Sequence, residues 1–244
     1  MGDIALRFDQ VGKSFAGAVA LAGFTLEVRR GECFGLVGEN GSGKTTLIKC
    51  MLDFCDADSG NIEIFGVPHG GTAARARVAF LPERFNPPFY LTGRDFLRYM
   101  LELYRAPYDE AQVALTFEAL GLDLSALTRP ARTYSKGMTQ KLGLAACLLS
   151  GKDLFILDEP TSGLDPKARA LLKRQLRELR HTHRTLFFTS HALADVAEMC
   201  DRMAIVHGGR LQFAGTPDEL LRRHGCDDLE QAFLACISDA AVVA

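Results

Sequence analysis

The chain has 244 residues, of which 48% are hydrophobic, and its formal net charge at pH 7 is −2. This length and apolar fraction supply a sizeable core, which excludes intrinsic disorder, and the near-neutral charge argues against a dedicated nucleic-acid binder. No apolar run approaches the ~18 residues that a membrane-crossing helix needs, and the start is no signal peptide, so we expect a chain that does not span a membrane by itself.

The first thirty residues predict an antiparallel β unit, because residues 4–8 and 24–28 alternate apolar and polar side chains. Further along the chain, short and nearly continuous apolar runs are typical of strands in a parallel sheet covered on both faces. These runs are residues 34–37, 154–157, 185–189 and 203–206. Helical patterns separate them, so the sequence predicts an α/β fold.

The segment after residues 34–37 carries the phosphate-binding pattern Gly-x-x-x-x-Gly-Lys-Ser/Thr. Glycines let backbone N–H groups approach phosphate oxygens, and the N-terminus of the following helix favours anions. Lys44 can reach the β- and γ-phosphates, and the Thr45 hydroxyl can ligate Mg²⁺. A chance glycine-rich turn is the alternative, and the complete pattern argues against it. The predicted nucleotide-binding residues are Gly38, Glu39, Asn40, Gly41, Ser42, Gly43, Lys44, Thr45 and Thr46.

The stretch of residues 85–130 breaks the alternation of strands and helices. It predicts two helices, around residues 93–104 and 110–120, and a helical subdomain. A further amphipathic helix is predicted over residues 166–180, with Asp165 as its N-cap.

Two acids follow the apolar run of residues 154–157. Asp158 at the end of a buried strand can present a carboxylate to the Mg²⁺ shell beside the phosphates. Glu159, one residue further, can orient and deprotonate an attacking water. The alternative is a strand that simply ends in solvated acids.

Other segments, in the same order along the chain, resemble the motifs of ABC-type ATPases. Residues 134–140, Tyr-Ser-Lys-Gly-Met-Thr-Gln, are similar to the signature loop, whose usual form is Leu-Ser-Gly-Gly-Gln. Residues 162–165 resemble the D-loop, and residues 190–191 resemble the segment with the switch histidine. Phe15 fits the aromatic residue that stacks on adenine. The resemblance covers essentially residues 4–221.

The resemblance implies a P-loop NTPase of ABC ATPase type, with Walker A and Walker B motifs, that binds ATP and Mg²⁺. The implied fold has a mixed or parallel core sheet, an N-terminal antiparallel β subdomain and an α-helical subdomain. The implied catalytic residues are Lys44, Glu159 and His191, and the implied Mg²⁺ ligands are Thr45, Glu83 and Asp158. Outside the phosphate loop, the implied cofactor contacts come from Phe15, Glu83, Ser135, Lys136, Gly137 and Asp165.

A single domain over residues 1–244 is also implied. Residues 1–82 and 152–221 would form the RecA-like core with its antiparallel β lobe. Residues 83–151 would form the helical subdomain that carries the signature loop, and residues 222–244 a C-terminal helix.

The family pairs two such domains head to tail, with each ATP between one phosphate loop and the other subunit's signature. The resemblance therefore implies a second ATPase subunit, in a homodimer, and a separate transmembrane permease as partners. It places the chain peripherally, at the cytoplasmic face of the inner or plasma membrane, with no nucleic-acid partner.

Two departures from the family pattern stand out. Glu83 takes the place of the usual Gln, and a carboxylate there can ligate Mg²⁺ but adds negative charge near the γ-phosphate. In the signature, Tyr134, Lys136 and Met138 stand where the usual form has Leu, Gly and Gln. Together these features resemble bacterial ATPases that serve ABC-2-type permeases, commonly exporters.

Single residues of these motifs have simpler interpretations. Ser135 and Asp165 can be helix N-caps, His191 a loop residue and Phe15 part of the core. A hypothesis concerns the aromatic residues after Glu83: in the family, the helical subdomain forms a groove for a coupling helix of the membrane subunit, and some of these side chains would line it. The candidates are Phe85, Phe89 and Tyr90.

Other functional classes fit less well. An ABC-type ATPase that acts as an assembly scaffold or regulator is the main alternative. DNA-repair and chromosome-organising ATPases need a long coiled coil between phosphate loop and signature, and no sustained heptads occur here. Translation-type members carry two cassettes in one chain. The seven cysteines show no Cys-x-x-Cys or metal-ligand spacing and predict reduced thiols, mostly core residues.

Overall fold

The computed structural model describes residues 3–180 and 182–242. The ends of the predicted domain and C-terminal helix, residues 1–2 and 243–244, lie outside the described residues. The strands are β1 Ile4–Phe15, β2 Ala18–Arg29, β3 Cys33–Val37, β4 Ser59–Ile64, β5 Val67–Pro68, β6 Val78–Leu81, β7 Leu154–Leu157, β8 Thr185–Ser190, β9 Arg202–His207 and β10 Arg210–Gly215. The α-helices are α1 Lys44–Met51, α2 Thr72–Arg75, α3 Gly93–Tyr104, α4 Glu110–Leu120, α5 Lys136–Leu149, α6 Pro166–Arg180, α7 Leu193–Met199, α8 Pro217–His224 and α9 Leu229–Val242.

The chain forms two compact units. Residues 1–75 and 185–244 make up the first, which we call the phosphate-loop unit, and residues 76–184 make up the second, which we call the signature unit. The lobes implied by the motif order, with boundaries near residues 83 and 151, remain a prediction.

The phosphate-loop unit contains the antiparallel sheet predicted near the N-terminus, in the order β2-β1-β4-β5. The strands are longer than predicted, and Phe8 of β1 pairs with Leu26 of β2, both buried. In the same unit β3 pairs in parallel with β8 and with β9, and β10 is antiparallel to β9. Every residue of β3 and β8 is buried, as their continuous apolar sequence predicts.

Aromatic side chains join the two groups of strands in the phosphate-loop unit. The rings of Phe34 in β3 and Phe187 in β8 are stacked, with centroids 6.1 Å apart. Phe8 of β1 lies 6.3 Å from Phe187 and 5.8 Å from Phe24, the latter edge to face. All four side chains are fully buried, so this cluster forms the core beneath the phosphate loop's own strand.

The signature unit confirms the helices predicted from periodicity, because α3, α4 and α6 occupy residues 93–104, 110–120 and 166–180. Side-chain caps explain these boundaries. Thr92 accepts a hydrogen bond from the backbone of Asp95, and Asp109 accepts from Ala111. Strand β6 runs parallel to β7 and pairs Val78 with Leu154.

Within the range of residues 222–244 that was predicted as a C-terminal helix, the structure has the end of α8 and then α9, which buries Ala232, Cys236 and Ile237. It follows α8, whose N-cap Thr216 and Glu219 form a capping box. In the part of the chain that the structure describes, no helix has both the length and the apolar composition needed to cross a bilayer.

Removing the central ring of the aromatic cluster tests this core. Phe187→Ala is expected to lower the free energy of unfolding by about 3–5 kcal/mol, because it leaves a cavity among Phe8 and Phe34. Urea denaturation followed by circular dichroism measures the change. The control Phe89→Ala removes an exposed ring and should stay within about 0.5 kcal/mol. Equal losses of stability in both variants would contradict the assignment of the aromatic cluster to the core.

Candidate functional site

The phosphate loop joins β3 to α1, and its path requires glycine at two positions. Gly43 has a φ of 109°, and a Cβ there would lie 2.5 Å from the carbonyl oxygen of Ala20. At Gly38 a Cβ would collide with the carbonyl oxygen of Val206 and lie 2.5 Å from Oγ of Ser42. The loop backbone therefore packs directly on neighbouring backbone, with no room for a side chain between them.

The N-terminus of α1 has the chemistry of an anion site. Helix α1 begins after Gly43, which is its N-cap residue and supplies no side-chain cap. The first N–H groups of a helix lack intrahelical partners and carry partial positive charge. Beside them, the hydroxyl of Ser42 is buried and has no hydrogen-bond partner among the described residues.

Lys44 lies inside this loop. Its ammonium nitrogen donates to the carbonyl oxygen of Gly38 at 2.7 Å and to that of Glu39 at 3.1 Å, and the residue is 6% exposed. A buried cation, an orphaned hydroxyl and an uncapped helix N-terminus form a donor set that fits a phosphate group.

The turn between β9 and β10 supports the loop, which the motif analysis did not anticipate. The backbone N–H of Gly209 donates to the carbonyl oxygen of Ser42 at 3.0 Å, and Gly209 accepts from Ala22 at 2.9 Å. His207 Nδ1 lies 3.7 Å from a carboxylate oxygen of Glu39. In the sequence, the Gly-Gly pair at residues 208–209 indicates a turn, but no local pattern specifies its contact with the loop.

Phe15 and His191 also belong to the phosphate-loop unit. Phe15 ends β1 and is 48% exposed, so its interpretation as a core residue is wrong. The ammonium of Lys13 lies 5.3 Å from its ring centroid. His191 follows the last residue of β8 and is exposed to solvent.

In the signature unit, Asp158 and Glu159 follow β7 and are only 3% and 7% exposed. The backbone N–H of Asp158 donates to the carbonyl oxygen of Leu81 at 2.8 Å, which ties the acids to the end of β6. Glu159 has a φ of 49°, a left-handed conformation that costs a non-glycine residue of order 1–3 kcal/mol. Such strain is typical of functional positions.

A metal ion held by protein side chains alone would need more ligand groups than the described residues bring together. Among the described residues, no group of three or more His, Cys, Asp or Glu side chains could hold an ion. Mg²⁺ in nucleotide sites is bound through one or two carboxylates, phosphate oxygens and water. The donor types of Thr45, Glu83 and Asp158 fit that mode of binding.

The signature loop begins helix α5. Ser135 is its N-cap, and its hydroxyl accepts from the backbone N–H of Met138 at 3.2 Å. Lys136 extends over the D-loop, because a Cβ on Gly163 would lie 2.6 Å from its ammonium nitrogen. Gly137 lies within the first turn, and a Cβ there would make only an ordinary contact with Leu164. Ser135 is thus a cap, and the residue is exposed at the helix N-terminus.

Tyr134 explains one departure from the usual signature. Its phenol donates a hydrogen bond to the carbonyl oxygen of Ala126 and lies against Gly93, where a Cβ would collide with it. Burial raises the pKa of this phenol. A tyrosine at this position therefore anchors the signature loop to the short 3-10 helix Leu124–Thr128, a contact that leucine cannot make.

Glu83 and Asp165 both lie on the surface of the signature unit. Glu83 follows β6 and is exposed. Asp165 is exposed and caps α6, since its carboxylate accepts from the backbone N–H of Ala168 at 2.9 Å. The capping interpretation of Asp165 is therefore confirmed.

The aromatic residues after Glu83 divide into two groups. Phe85 packs edge to face on Phe96, with ring centroids 5.5 Å apart, and is half-buried. Phe89 and Tyr90 are 66% and 68% exposed and lie edge to face on each other at 5.4 Å.

Comparison with known proteins gives a consistent set of matches. The profile described as ABC transporter matches residues 21–162. An uncharacterized ABC transporter ATP-binding protein of Nostoc sp. is 39% identical over 206 residues, which are 83% of this chain and 62% of that protein. The chain thus spans less than two thirds of that relative's length.

The Nod factor export ATP-binding protein I of Paraburkholderia xenovorans is 35% identical over 235 residues, 94% of this chain and 77% of that protein. A solved structure of an ATP binding subunit of an ABC transporter is 28% identical and superposes with a TM-score of 0.84. That match covers 96% of this chain and 99% of the other.

A methyl group at Gly43 tests the phosphate loop. Gly43→Ala is expected to weaken ATP binding by at least about tenfold, because the new Cβ displaces the loop from the Ala20 carbonyl. Isothermal titration with ATP measures the affinity. Gly66→Ala is the matched control: its φ is 77°, and no heavy atom of the described residues lies within 4 Å of its Cβ position. If Gly43→Ala bound ATP as the control does, the close packing would not matter for binding.

Proposed function

Because this chain belongs to the ABC transporter family, we propose that it binds and hydrolyses ATP and thereby energises a separate transmembrane permease. The observation that carries the proposal is the loop before α1, where Lys44 is buried beside an orphaned Ser42 hydroxyl and an uncapped helix N-terminus. This donor set fits the β- and γ-phosphates of a nucleotide. The same chain carries two buried acids at the end of β7.

The residues of the phosphate-loop unit are assigned to substrate binding. Backbone N–H groups of residues 38–46 and the ammonium of Lys44 neutralise phosphate charge, and phosphoryl transfer depends mainly on such positioning and charge stabilisation. The ring of Phe15 is assigned to stacking on adenine, and its exposure supports this assignment.

The acids of the signature unit are assigned to water activation. Glu159 holds the attacking water and accepts its proton, and its burial and its left-handed backbone at the end of β7 support this assignment. Thr45, Asp158 and Glu83 would hold Mg²⁺, which supplies charge neutralisation between the phosphates when bound. His191 is assigned to the γ-phosphate and the attacking water.

The signature loop is assigned to contact the ATP that a second copy of the chain binds. In this arrangement Ser135, the Gly137 N–H and the Lys136 ammonium meet the terminal phosphate bound by the partner, and Asp165 lies at the pair's interface. The exposure of Ser135 at the N-terminus of α5 supports this assignment, because that end of a helix favours anions.

The permease is assigned as an ABC-2-type, export-like partner at the cytoplasmic face of the inner or plasma membrane, to which this chain would be peripheral. The support is the 35% identity to a Nod factor export ATP-binding protein. Pairing of two chains on ATP and their separation after hydrolysis would drive the permease.

Substitution of Glu159 tests the catalytic assignment. Glu159→Gln is expected to retain ATP binding but slow hydrolysis by roughly 10²–10⁴-fold, the range for losing a general base. Phosphate release measures the rate, and light scattering with ATP and Mg²⁺ should show a trapped dimer.

The matched control is Glu118→Gln, which neutralises an exposed carboxylate on α4 and should leave both readouts unchanged. Turnover of Glu159→Gln at the wild-type rate would refute the general-base assignment. A monomer in saturating ATP would refute the paired arrangement.

The exposed pair Phe89 and Tyr90 tests the permease assignment. The double substitution Phe89→Ala and Tyr90→Ala should abolish recovery of a multi-span membrane protein from detergent-solubilised membranes, because it removes the apolar surface assigned to the coupling helix. The control Leu115→Ala removes an exposed apolar side chain elsewhere in the signature unit and should preserve recovery. ATP hydrolysis by the isolated chain should be unchanged in both variants. If the double variant recovered as much membrane protein as the wild type, the assignment of Phe89 and Tyr90 to the coupling helix would be refuted.

A further inference from the structure

Two cysteine thiols lie in contact beside the helix that carries the phosphate loop. Cys50 is in α1 and Cys55 is in the loop before β4, and their sulfur atoms are 3.6 Å apart. We propose that Cys50 and Cys55 are a redox-active pair that closes into a reversible disulfide, and that the disulfide weakens nucleotide binding. The second half of this inference rests on the proposed function.

The backbone between the two cysteines is folded into a hydrogen-bonded turn. The N–H groups of Phe54 and Cys55 both point to the carbonyl oxygen of Lys49, at 2.8 and 3.4 Å. Asp53, with a φ of 62°, donates to the carbonyl oxygen of Cys50 at 3.1 Å. A disulfide has sulfurs at ~2.05 Å, so closure needs an approach of only about 1.5 Å. The turn therefore presents the thiols in near-bonding positions.

The two thiols differ in access. Cys50 is fully buried, and Cys55 is partly exposed. Burial, followed by the contact with Cys55, raises the pKa of Cys50 to about 12. A solvent-borne oxidant therefore meets Cys55 first, and Cys50 is positioned as the resolving thiol.

The oxidant is a small-molecule disulfide such as oxidised glutathione. Cys55 loses its proton to solvent, and its sulfur attacks one sulfur of the oxidant, which releases one thiolate and leaves a mixed disulfide. Cys50 then attacks the sulfur of Cys55, the bond from Cys55 to the oxidant's sulfur breaks, and the proton of Cys50 passes to the thiolate that leaves. Two protein thiols are oxidised to one disulfide, and one disulfide of the oxidant is reduced to two thiols.

The loop after Cys55 connects the pair to Phe15. In that loop, the carboxylate of Asp58 accepts from the ammonium of Lys13 at 2.7 Å and from the backbone N–H of Ser14 at 2.7 Å. The backbone N–H of Asp58 donates to the carbonyl oxygen of Gly12 at 2.8 Å. Lys13 in turn lies over the ring of Phe15. Movement of Cys55 toward Cys50 pulls on the segment that holds Asp58, and so disturbs the end of β1 assigned to the adenine base.

Peptide mapping tests the disulfide itself. Trypsin should release residues 50–75 as one peptide, which contains Cys50 and Cys55 and no other cysteine. After treatment with oxidised glutathione, this peptide is expected to lose two hydrogens in mass and to resist alkylation until reduced. Two free thiols in this peptide, or glutathione retained on Cys55, would refute the proposed disulfide between Cys50 and Cys55.

ATP titration tests the consequence. The oxidised wild type should bind ATP roughly 2- to 10-fold more weakly than the reduced protein, the amount expected for partial loss of an aromatic contact, with recovery after dithiothreitol. Cys55→Ser should bind like the reduced wild type under both conditions. The matched control Cys226→Ser removes another partly exposed thiol and should keep the oxidation effect.

The outcomes separate the two proposals. Equal affinities of oxidised and reduced wild type, or the same loss in Cys55→Ser, would overturn the coupling to nucleotide binding. If the reduced protein failed to bind ATP, the proposed function and the coupling would both be wrong. The mass of the peptide decides the disulfide independently of that result.

Discussion

The close approach of bare backbone around the start of α1 is the constraint on which the rest of the site depends. Gly38 and Gly43 leave no space for a Cβ against the carbonyls of Val206 and Ala20. This packing fixes where the first N–H groups of α1 point, and it places the ammonium of Lys44 within the loop. Backbone N–H groups and one ammonium held by backbone carbonyls thus concentrate positive charge, which suits tight recognition of phosphate.

The candidate catalytic groups share a second constraint, because they follow the ends of fully buried strands. Asp158 and Glu159 come directly after β7, and His191 comes directly after β8. A buried strand has little freedom to move, so the residue that follows it is held in place by the core. The left-handed conformation of Glu159 stores strain that this core must support. Precision at the site therefore depends on packing within each unit.

Residues of the signature loop that depart from the family pattern contact neighbouring segments of the chain. Tyr134 gains a hydrogen bond to the Ala126 carbonyl, and Lys136 lies over Gly163 of the D-loop. Each replacement connects the signature loop to a neighbouring segment of the same unit. The Cys50 and Cys55 pair similarly connects α1 to the loop that holds Lys13. These contacts link the motif segments to their neighbours, while Ser135 and Gly137 keep the residue types of the usual signature.

Local patterns in the sequence were sufficient to predict the helices over residues 93–104, 110–120 and 166–180, the strand over residues 154–157 and the turn from a buried strand into a helix around residues 38–43. Periodicity, caps and glycine spacing act between near neighbours in the chain, so they can be recognised without the fold. Contacts between distant segments could not be recognised in this way, because no local signal specifies which side chains meet. Only the tertiary structure decided that Phe15 is exposed, that Phe85 packs inward while Phe89 and Tyr90 do not, and that Gly209 supports Ser42.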